Sequence, residues 1–573
     1  MDFGFRKNDN EALFGSMKLD TSLNMEELQN YVPIYGQFFD LTSSNFNKFN
    51  LNTPITLRKI GNKRKDGTFV ADVVNDKGSE FTRNVFFKLS PIIDPVRYMV
   101  GKYDHTDPDL MSLPVFDSQA SHAKARDPNN AAYADGLFSY LTSQLNHNHK
   151  FPHGLDFYGS YLGVQKGYEL DVGDDVDYLQ ESDFFHKHKG TLFDVDEETM
   201  ESMLGDGTRT KREKLDIGGK VLTLADISDI SVLDGTMDKV FGAGEGKTDD
   251  LAGLEAVDFA VGDDGAMVLD EKADTESCSS RSSHTDGGSD EGSGDEGSGD
   301  EEDDDGEGSQ SGSSDWSEDS VHVGASFPRF PVHVIALEKC EATLDELMAD
   351  EDLGDKEWGS IMMQIIMTLA MYQKVYAFTH NDLHTNNVMY VKTDRPHITY
   401  RLGGKIYKVP TFGRLFKIID FGRAIYKFRG RIICSDSYHP KGDAAGQYNF
   451  GPYLDESKPR LEPSYGFDLC RLGCAVYDYV IDDLLEDPTN EILSIIAGLC
   501  LDDKGNNILY KSNGDERYPG FKLYKMISRN ARETTSPQAV LEKPYFQRYV
   551  VSRKSLNKKA HIINIDAMEP QTD

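Results

Sequence analysis

The amino-acid sequence predicts an α+β protein: a small antiparallel β part, then a larger and mainly helical part, with a long acidic insertion inside the first. Three observations lead there. Short runs with period-two apolar alternation cluster between positions 55 and 89, the pattern of half-buried strands. Two longer stretches, Trp358 to Phe378 and Phe467 to Val480, repeat their apolar residues at helical spacing. Between these regions, residues 165–327 are rich in acidic and small residues. At 573 residues the chain exceeds one ordinary core, so several domains, or one core with large insertions, are expected.

Taken in order, residues 1–50 read as a polar extension with one helix near Met25-Glu26-Glu27-Leu28. The β part spans 51–164. Ile55–Ile60 alternates, Thr68–Val74 is rich in β-formers, and Asn75-Asp76-Lys77-Gly78 is a turn signal. A third strand, Asn84–Leu89, carries Lys88 in an apolar frame and stops at Ser90-Pro91. Asn130–Leu145 reads as a helix through Leu137, Phe138, Leu141 and Leu145, and Phe157–Leu162 as a strand. Within the insertion, Lys214–Ile217, Gly218-Gly219 and Lys220–Leu224 suggest a hairpin. Further on, Glu291–Glu296 nearly repeats as Glu296–Glu301. Such Ser/Gly/Asp/Glu sequence buries too little to offset chain entropy, so about 274–320 should be disordered. A last strand of the β part, Val332–Leu337 within 328–340, precedes the helical part, 341–573. There a helix starts near Thr343, and 422–463 reads as Gly-, Pro- and Tyr-rich loop.

The net charge of −36 argues against a nucleic-acid binder. From Glu276 to Asp319 there are 16 acidic residues against one arginine, a net of −15 in one short segment. The bland reading is a solvating linker; the sharper one makes Ser293 and Ser298, each with Glu three residues on, sites for acid-directed phosphorylation. Six cysteines without a C-x-x-C pair read as reduced, intracellular thiols, with Cys470 and Cys474 packing a helix. No signal pattern or bilayer-length apolar run is seen, so a soluble, intracellular protein without membrane contact is expected.

The chemistry concentrates in His380–Asn387 and Ile418–Gly422. Asp382, Asn387 and Asp420 stand at the ends of two apolar runs, Met389–Val391 and Leu415–Ile419. Phosphoryl transfer from a nucleotide needs such a set: one carboxylate to orient the attacking hydroxyl, an amide and a second carboxylate for Mg²⁺.

On these residues the chain resembles the eukaryotic-type protein kinases. H-x-D-x-x-x-x-N is met by His380, Asp382 and Asn387, and D-F-G by Asp420-Phe421-Gly422; Lys88 matches the mid-strand lysine, and Asp468 and Gly473 match the D-x-x-x-x-G of the central helix. The wording of Gly404–Arg414, of Lys417–Ala424 and of Asn381–Asn387 looks like the serine/threonine kinases of large double-stranded DNA viruses. The resemblance implies a bilobal kinase-like fold, ATP and Mg²⁺, and protein substrates with Ser/Thr acceptors. If viral, the protein would work in the host-cell cytoplasm, with packaging in the particle an open option.

The resemblance also implies roles. Lys88 would contact the α- and β-phosphates, with Asp135 as its acidic partner, one methylene shorter than the usual glutamate. Asp382 would act on the acceptor hydroxyl. Asn387 and Asp420 would hold Mg²⁺. Glu338 and Cys340 would lie on the adenine-binding hinge, and Gly61, with Gly67, would bracket a phosphate loop. That loop lacks its middle glycine and reads equally well as a charged hairpin turn. Asn381 replaces the arginine that reads activation-loop phosphate, and His384 stands where a lysine is usual. Two other readings stay open: a small-molecule phosphotransferase of aminoglycoside- or choline-kinase type, and a pseudokinase scaffold.

Overall fold

The β-forming runs of the first part come together in one seven-stranded sheet. The computed structural model describes residues 3–196, 199–200 and 323–572. The expected 214–224 hairpin, the low-complexity stretch, Cys278, Ser293 and Ser298 lie outside them. At the start, β1 (Phe5–Lys7) and β3 (Phe49–Leu51) pair beside helix α1 (Glu11–Leu19) and strand β2 (Met25–Gln29). The meander follows as β4 (Ile55–Lys63), β5 (Phe69–Asn75) and β6 (Glu80–Pro91). After the short helices α2 (Pro95–Met99) and α3 (Ala123–Arg126) comes α4 (Ala131–His149), then β7 (Phe157–Asp171), α5 (Val176–Gln180), α6 (Asp183–His188), β8 (Asp194–Val195) and β9 (Gly324–Glu338). The sheet order is β2-β7-β9-β6-β5-β4, antiparallel throughout, with β8 also on β9.

Three readings need correction. Met25–Leu28 is not helical: it pairs antiparallel with β7 at Met25–Gln165 and Gln29–Leu162, with a bulge between. Inter-strand hydrogen bonds override the helix-favouring Met-Glu-Glu-Leu wording there. The β7 and β9 strands also run on past the boundaries expected at 165 and 327, and pair as far as Asp171–Gly324. Finally, part of 422–463 is a hairpin, described below.

Alternation in β6 decides where Lys88 points. Val85, Phe87 and Leu89 are buried, which turns Phe86 and Lys88 to the other face. Helix α4 is capped by the Asn130 side chain, which accepts from Ala132 N (3.0 Å), while its amide donates to Ile92 O (2.9 Å). It lies close on β9. A Cβ at Gly136 would fall 2.3 Å from His333 Cε1, so only glycine lets helix and strand approach there.

The helical part begins with β10 (Ala342–Thr343) and α7 (Leu344–Asp350), whose Thr343 and Glu346 form a reciprocal capping box. The long α8 (Asp355–Tyr376) is buried along nearly its whole length and ends at Ala377, in left-handed backbone (φ 48°). Strands β11 (Val388–Lys392) and β14 (Arg414–Ile418) pair around the hairpin β12 (His397–Leu402) and β13 (Lys405–Pro410). This is the extra hairpin that spaces Asp382 from Asp420. A second hairpin, β15 (Ile425–Phe428) and β16 (Arg431–Cys434), turns at Arg429-Gly430, both at positive φ. Helices α9 (Phe467–Glu486), α10 (Glu491–Gly498) and α11 (Lys522–Asn530) follow, and strand β17 (Ile563–Asn564) adds parallel to β12. Gly473 is the contact point of α9 with the end of α10: a Cβ there would meet Leu499 Cβ at 2.5 Å. Cys470, Cys474 and Cys500 are buried free thiols in this packing. The architecture is mixed α/β, and among the described residues the named strands pair antiparallel apart from β12 with β17. Among the described residues, no helix is long and apolar enough to cross a membrane.

Candidate active site

The loop from α8 to β11 is held from beneath by one buried carboxylate. Asp468, in the first turn of α9, accepts from His380 N (2.9 and 3.1 Å) and Asn381 N (2.8 Å). Burial pushes its pKa up, and these bonds only partly offset that. The His380 ring contacts Ile419 O through Nε2 (2.8 Å) and accepts from Asp382 N at Nδ1 (3.3 Å). Asn381 sits at φ 66° and is fully buried. Its amide donates to Thr379 O and Arg423 O, and its oxygen accepts from Tyr448 OH at 2.7 Å. Asn381 is therefore a structural tie between this loop, the backbone at Arg423 and the Tyr448 hydroxyl.

Lys88 joins the two parts. Its Nζ lies 2.8 Å from Asp135 Oδ2 and 2.9 Å from Asp420 Oδ1. Asp135 Oδ1 accepts from Phe421 N (3.0 Å), so one short side chain on α4 holds both the lysine and the backbone after Asp420. Burial favours neutral groups here, yet the two carboxylates keep the Lys88 ammonium above its ordinary pKa. Burial also pushes Asp420 up, but Lys88 outweighs it and holds that carboxyl low. For Asp135 burial prevails, and its pKa is raised.

Asp382 receives Tyr524 OH on Oδ1 (2.7 Å) and has Arg423 Nη1 3.5 Å from Oδ2. Burial lifts the Tyr524 hydroxyl to about 12, so it remains a donor. Asn387 Nδ2 donates to Asp382 O (2.9 Å) and to His384 Nε2 (3.0 Å). Burial pushes His384 down to about 4, leaving its ring neutral. Asn387 Oδ1 is buried and has no hydrogen-bond partner. An acceptor left so inside a cavity, beside an ionised Asp420, fits a hard cation that takes few protein oxygens.

Lys88, Asp135, Asp382, Asn387 and Asp420 line one cavity of about 120 Å³. Asp94, Lys124, Arg423 and Asp443 line it too, so five carboxylates face three cations. Glu338, Cys340 and Gly61 are not part of its lining. Glu338 ends β9; its N–H donates to Asp156 O (2.9 Å), and its carboxylate accepts from Lys417 Nζ (2.5 Å) and Asp156 N (2.7 Å). Cys340 is buried, its thiol pushed up to about 12 by burial. Gly61 lies inside β4, where a Cβ would come 3.0 Å from Val70 O. The charged turn after it closes by Arg64 N to Thr68 O (2.7 Å), and Lys339 Nζ pairs with Asp66 at 2.7 Å.

Sequence reasoning missed Arg423, Tyr524, Lys124 and Asp436. Asp436 accepts from Ala131 N (2.9 Å) at the start of α4 and pairs with Lys124. For Arg423 the signal was its place directly after Gly422. For the others there was none, because their partners lie more than a hundred residues away.

No protein-family model matches the chain. A protein of Acanthamoeba polyphaga mimivirus designated a serine/threonine-protein kinase is 34% identical over 105 residues, 17% of this chain and 22% of the relative. Serine/threonine-protein kinase haspin of Mus musculus is 35% identical over 77 residues (13% and 10%), and that of Bos taurus 33% over 96 residues (16% and 12%). The chain thus spans between 10% and 22% of the length of these curated relatives. The similarity is that of a divergent eukaryotic-type protein kinase resembling viral kinases.

Proposed function

We propose that this protein is a Mg²⁺-dependent protein kinase that transfers the γ-phosphoryl group of ATP to Ser or Thr hydroxyls of proteins, on a bilobal kinase fold. The observation that carries the reading is the pair of contacts from Lys88 Nζ, at 2.8 Å to Asp135 and 2.9 Å to Asp420, in the cavity that Asp382 and Asn387 also line. Similarity to serine/threonine kinases of mimivirus and mammals supports it independently.

In this reading Asp135 and Asp420 fix the Lys88 ammonium so that it meets the phosphates of ATP as an oriented point charge. Asp382 orients the acceptor hydroxyl and takes its proton. Asp468 keeps the loop that carries Asp382 in register by gathering two of its N–H groups. Asn387, through its unpartnered Oδ1, and Asp420 would hold Mg²⁺. When bound, that ion supplies positive charge to the phosphate oxygens. The adenine-binding role of Glu338 and Cys340 belongs to the same proposal, with the limit that the Glu338 N–H is already used by Asp156 O.

The test is incubation with Mg-ATP, generic protein substrates and candidate small alcohols, beside an Asp382→Asn control. Label on protein alone, lost in the control, is the expected result. Label on small alcohols would redirect the acceptor class, and a folded protein that neither binds nucleotide nor turns over would sink the reading.

A further inference from the structure

Three cations, Lys88, Lys124 and Arg423, line the cavity. Lys88 is committed to Asp135 and Asp420, and Lys124 to Asp436. Beside Asp382 stands Arg423, with Nη1 3.5 Å from Asp382 Oδ2 and Nη2 2.8 Å from Asp443 Oδ2. Its guanidinium lies over two rings of one helix turn, 5.6 Å from the centroid of Tyr524 and 5.8 Å from that of Phe521. The side chain is only 7% exposed, yet it lines the cavity. Two aromatic faces and Asp443 fix the plane of the fork at the cavity wall. His384, nearby in the loop, turns Nε2 to Asn387 Nδ2, 3.0 Å away, as a neutral acceptor and adds no charge there.

Phosphoryl transfer asks for positive charge beside the equatorial oxygens of the moving group, next to the attacking hydroxyl. We propose that Arg423 is a catalytic residue that contacts the transferring γ-phosphoryl group in the transition state, beside the acceptor held by Asp382. The inference rests on the kinase reading above. In the step, the acceptor oxygen forms its bond to the γ-phosphorus while the bond to the bridging oxygen breaks. The electron pair of the broken bond leaves with ADP, and the hydroxyl proton passes to Asp382. Arg423 gains and loses no proton; it neutralises charge. Its Nη1 lies 3.5 Å from Asp382 Oδ2, which sets the guanidinium beside the carboxylate that would take the acceptor proton.

The test uses the full chain and compares wild type, Arg423→Met and Arg423→Lys. The readouts are turnover with saturating Mg-ATP, KM for ATP, affinity for ADP alone, affinity for ADP with aluminium fluoride, and thermal midpoint. For Arg423→Met the expected result is kcat lower by about 10²- to 10³-fold, with KM for ATP and ADP affinity within about threefold. Tightening of ADP binding by aluminium fluoride, seen in the wild type, should be lost. Arg423→Lys, which keeps charge but not the fork, should fall between the two. Wild-type turnover in Arg423→Met overturns the inference, and so does a fall in kcat matched by equal losses in ADP affinity and midpoint. Wild-type protein that neither binds nucleotide nor turns over overturns the kinase reading and this inference with it; turnover insensitive to position 423 overturns this inference alone.

Discussion

Replacing Asp135 by Asn isolates the charge that α4 brings to Lys88. The side chain is 3% exposed and the lysine 13%, so solvent screens the contact little. The amide is isosteric and can still accept from Phe421 N at the position of Oδ1, which preserves the backbone tie. What disappears is one of two charge-assisted contacts on Nζ; Asp420 at 2.9 Å remains. Such a contact is worth roughly 1.5–3 kcal/mol, which converts to about a 10- to 100-fold loss of kcat/KM for ATP. Stability should suffer less, because burial and the neighbouring Asp420 already work against a charge at 135. Asp135→Glu is the companion: it keeps the charge but pushes an extra methylene into a gap closed at 2.8 Å, and should also lose activity. The assay is steady-state ADP release against ATP concentration, with urea midpoints as the folding control. A folded Asn variant with wild-type kcat/KM, or a Glu variant more active than the wild type, would refute the reasoning.

Other expectations are equally direct. Asn387→Ala removes the buried acceptor and should raise the Mg²⁺ concentration for half-maximal activity about tenfold or more, with ADP binding in EDTA unchanged; an unchanged Mg²⁺ midpoint refutes the ligand assignment. Asp468→Ala strips two buried N–H groups of their acceptor and should destabilise by roughly 3 kcal/mol, read as a urea midpoint shift. His153 and His333 are buried and neutral, each pushed down to about 4 by burial. Nδ1 of each faces a carbonyl, Phe416 O and Ala132 O, and so donates. The unfolded chain takes up their protons near pH 6.5 and the fold only near 4, so their stabilisation is full above 6.5 and is lost as pH falls through that window, roughly 3 kcal/mol each. His153→Gln should flatten the pH dependence of the urea midpoint; parallel curves would disprove it. Phosphatase treatment should leave activity unchanged, since Asn381 is turned inward; abolition, with phosphate mapped to 422–463, would contradict this.

Much of this was readable in the chain because it rests on local period. The 55–89 meander, α4 and α8 follow from alternation or helical spacing of their own residues. The polar set followed from motif spacing, and the structure brings Lys88, Asp135, Asp382, Asn387 and Asp420 around one cavity. What was not readable depends on distant partners. Strand β2 has Glu26 and Glu27 in its middle and exists only because β7 offers an edge. The β15–β16 hairpin turns at Arg429-Gly430, with φ 47° and 72°, where an Asn-Gly or Asp-Gly would have announced it. Lys417 reads as an ordinary strand lysine, yet it is buried and paired with Glu338 across 79 positions, which takes that glutamate's carboxylate. Tyr524 reaches Asp382 over 142 positions; no local pattern carries such a contact.

The turn at Arg429 also has a consequence for the order in which the molecule assembles. Its guanidinium donates to Phe3 O (3.0 Å, 426 positions away) and Phe38 O (3.2 Å), while Arg429 N and Gly430 N donate to Gln571 O (2.9 Å) and Thr572 O (3.2 Å). The hairpin directly after Asp420-Phe421-Gly422 is thus gripped by residues 3 and 38 on one side and 571 and 572 on the other. Contacts of such sequence separation form late, after the entropy of closing very long loops has been met. During synthesis, residues 1–450 can be complete while one side of that grip does not yet exist. Full seating of the hairpin therefore waits on residues 571 and 572, so the segment directly after Gly422 should be among the last parts of the fold to settle.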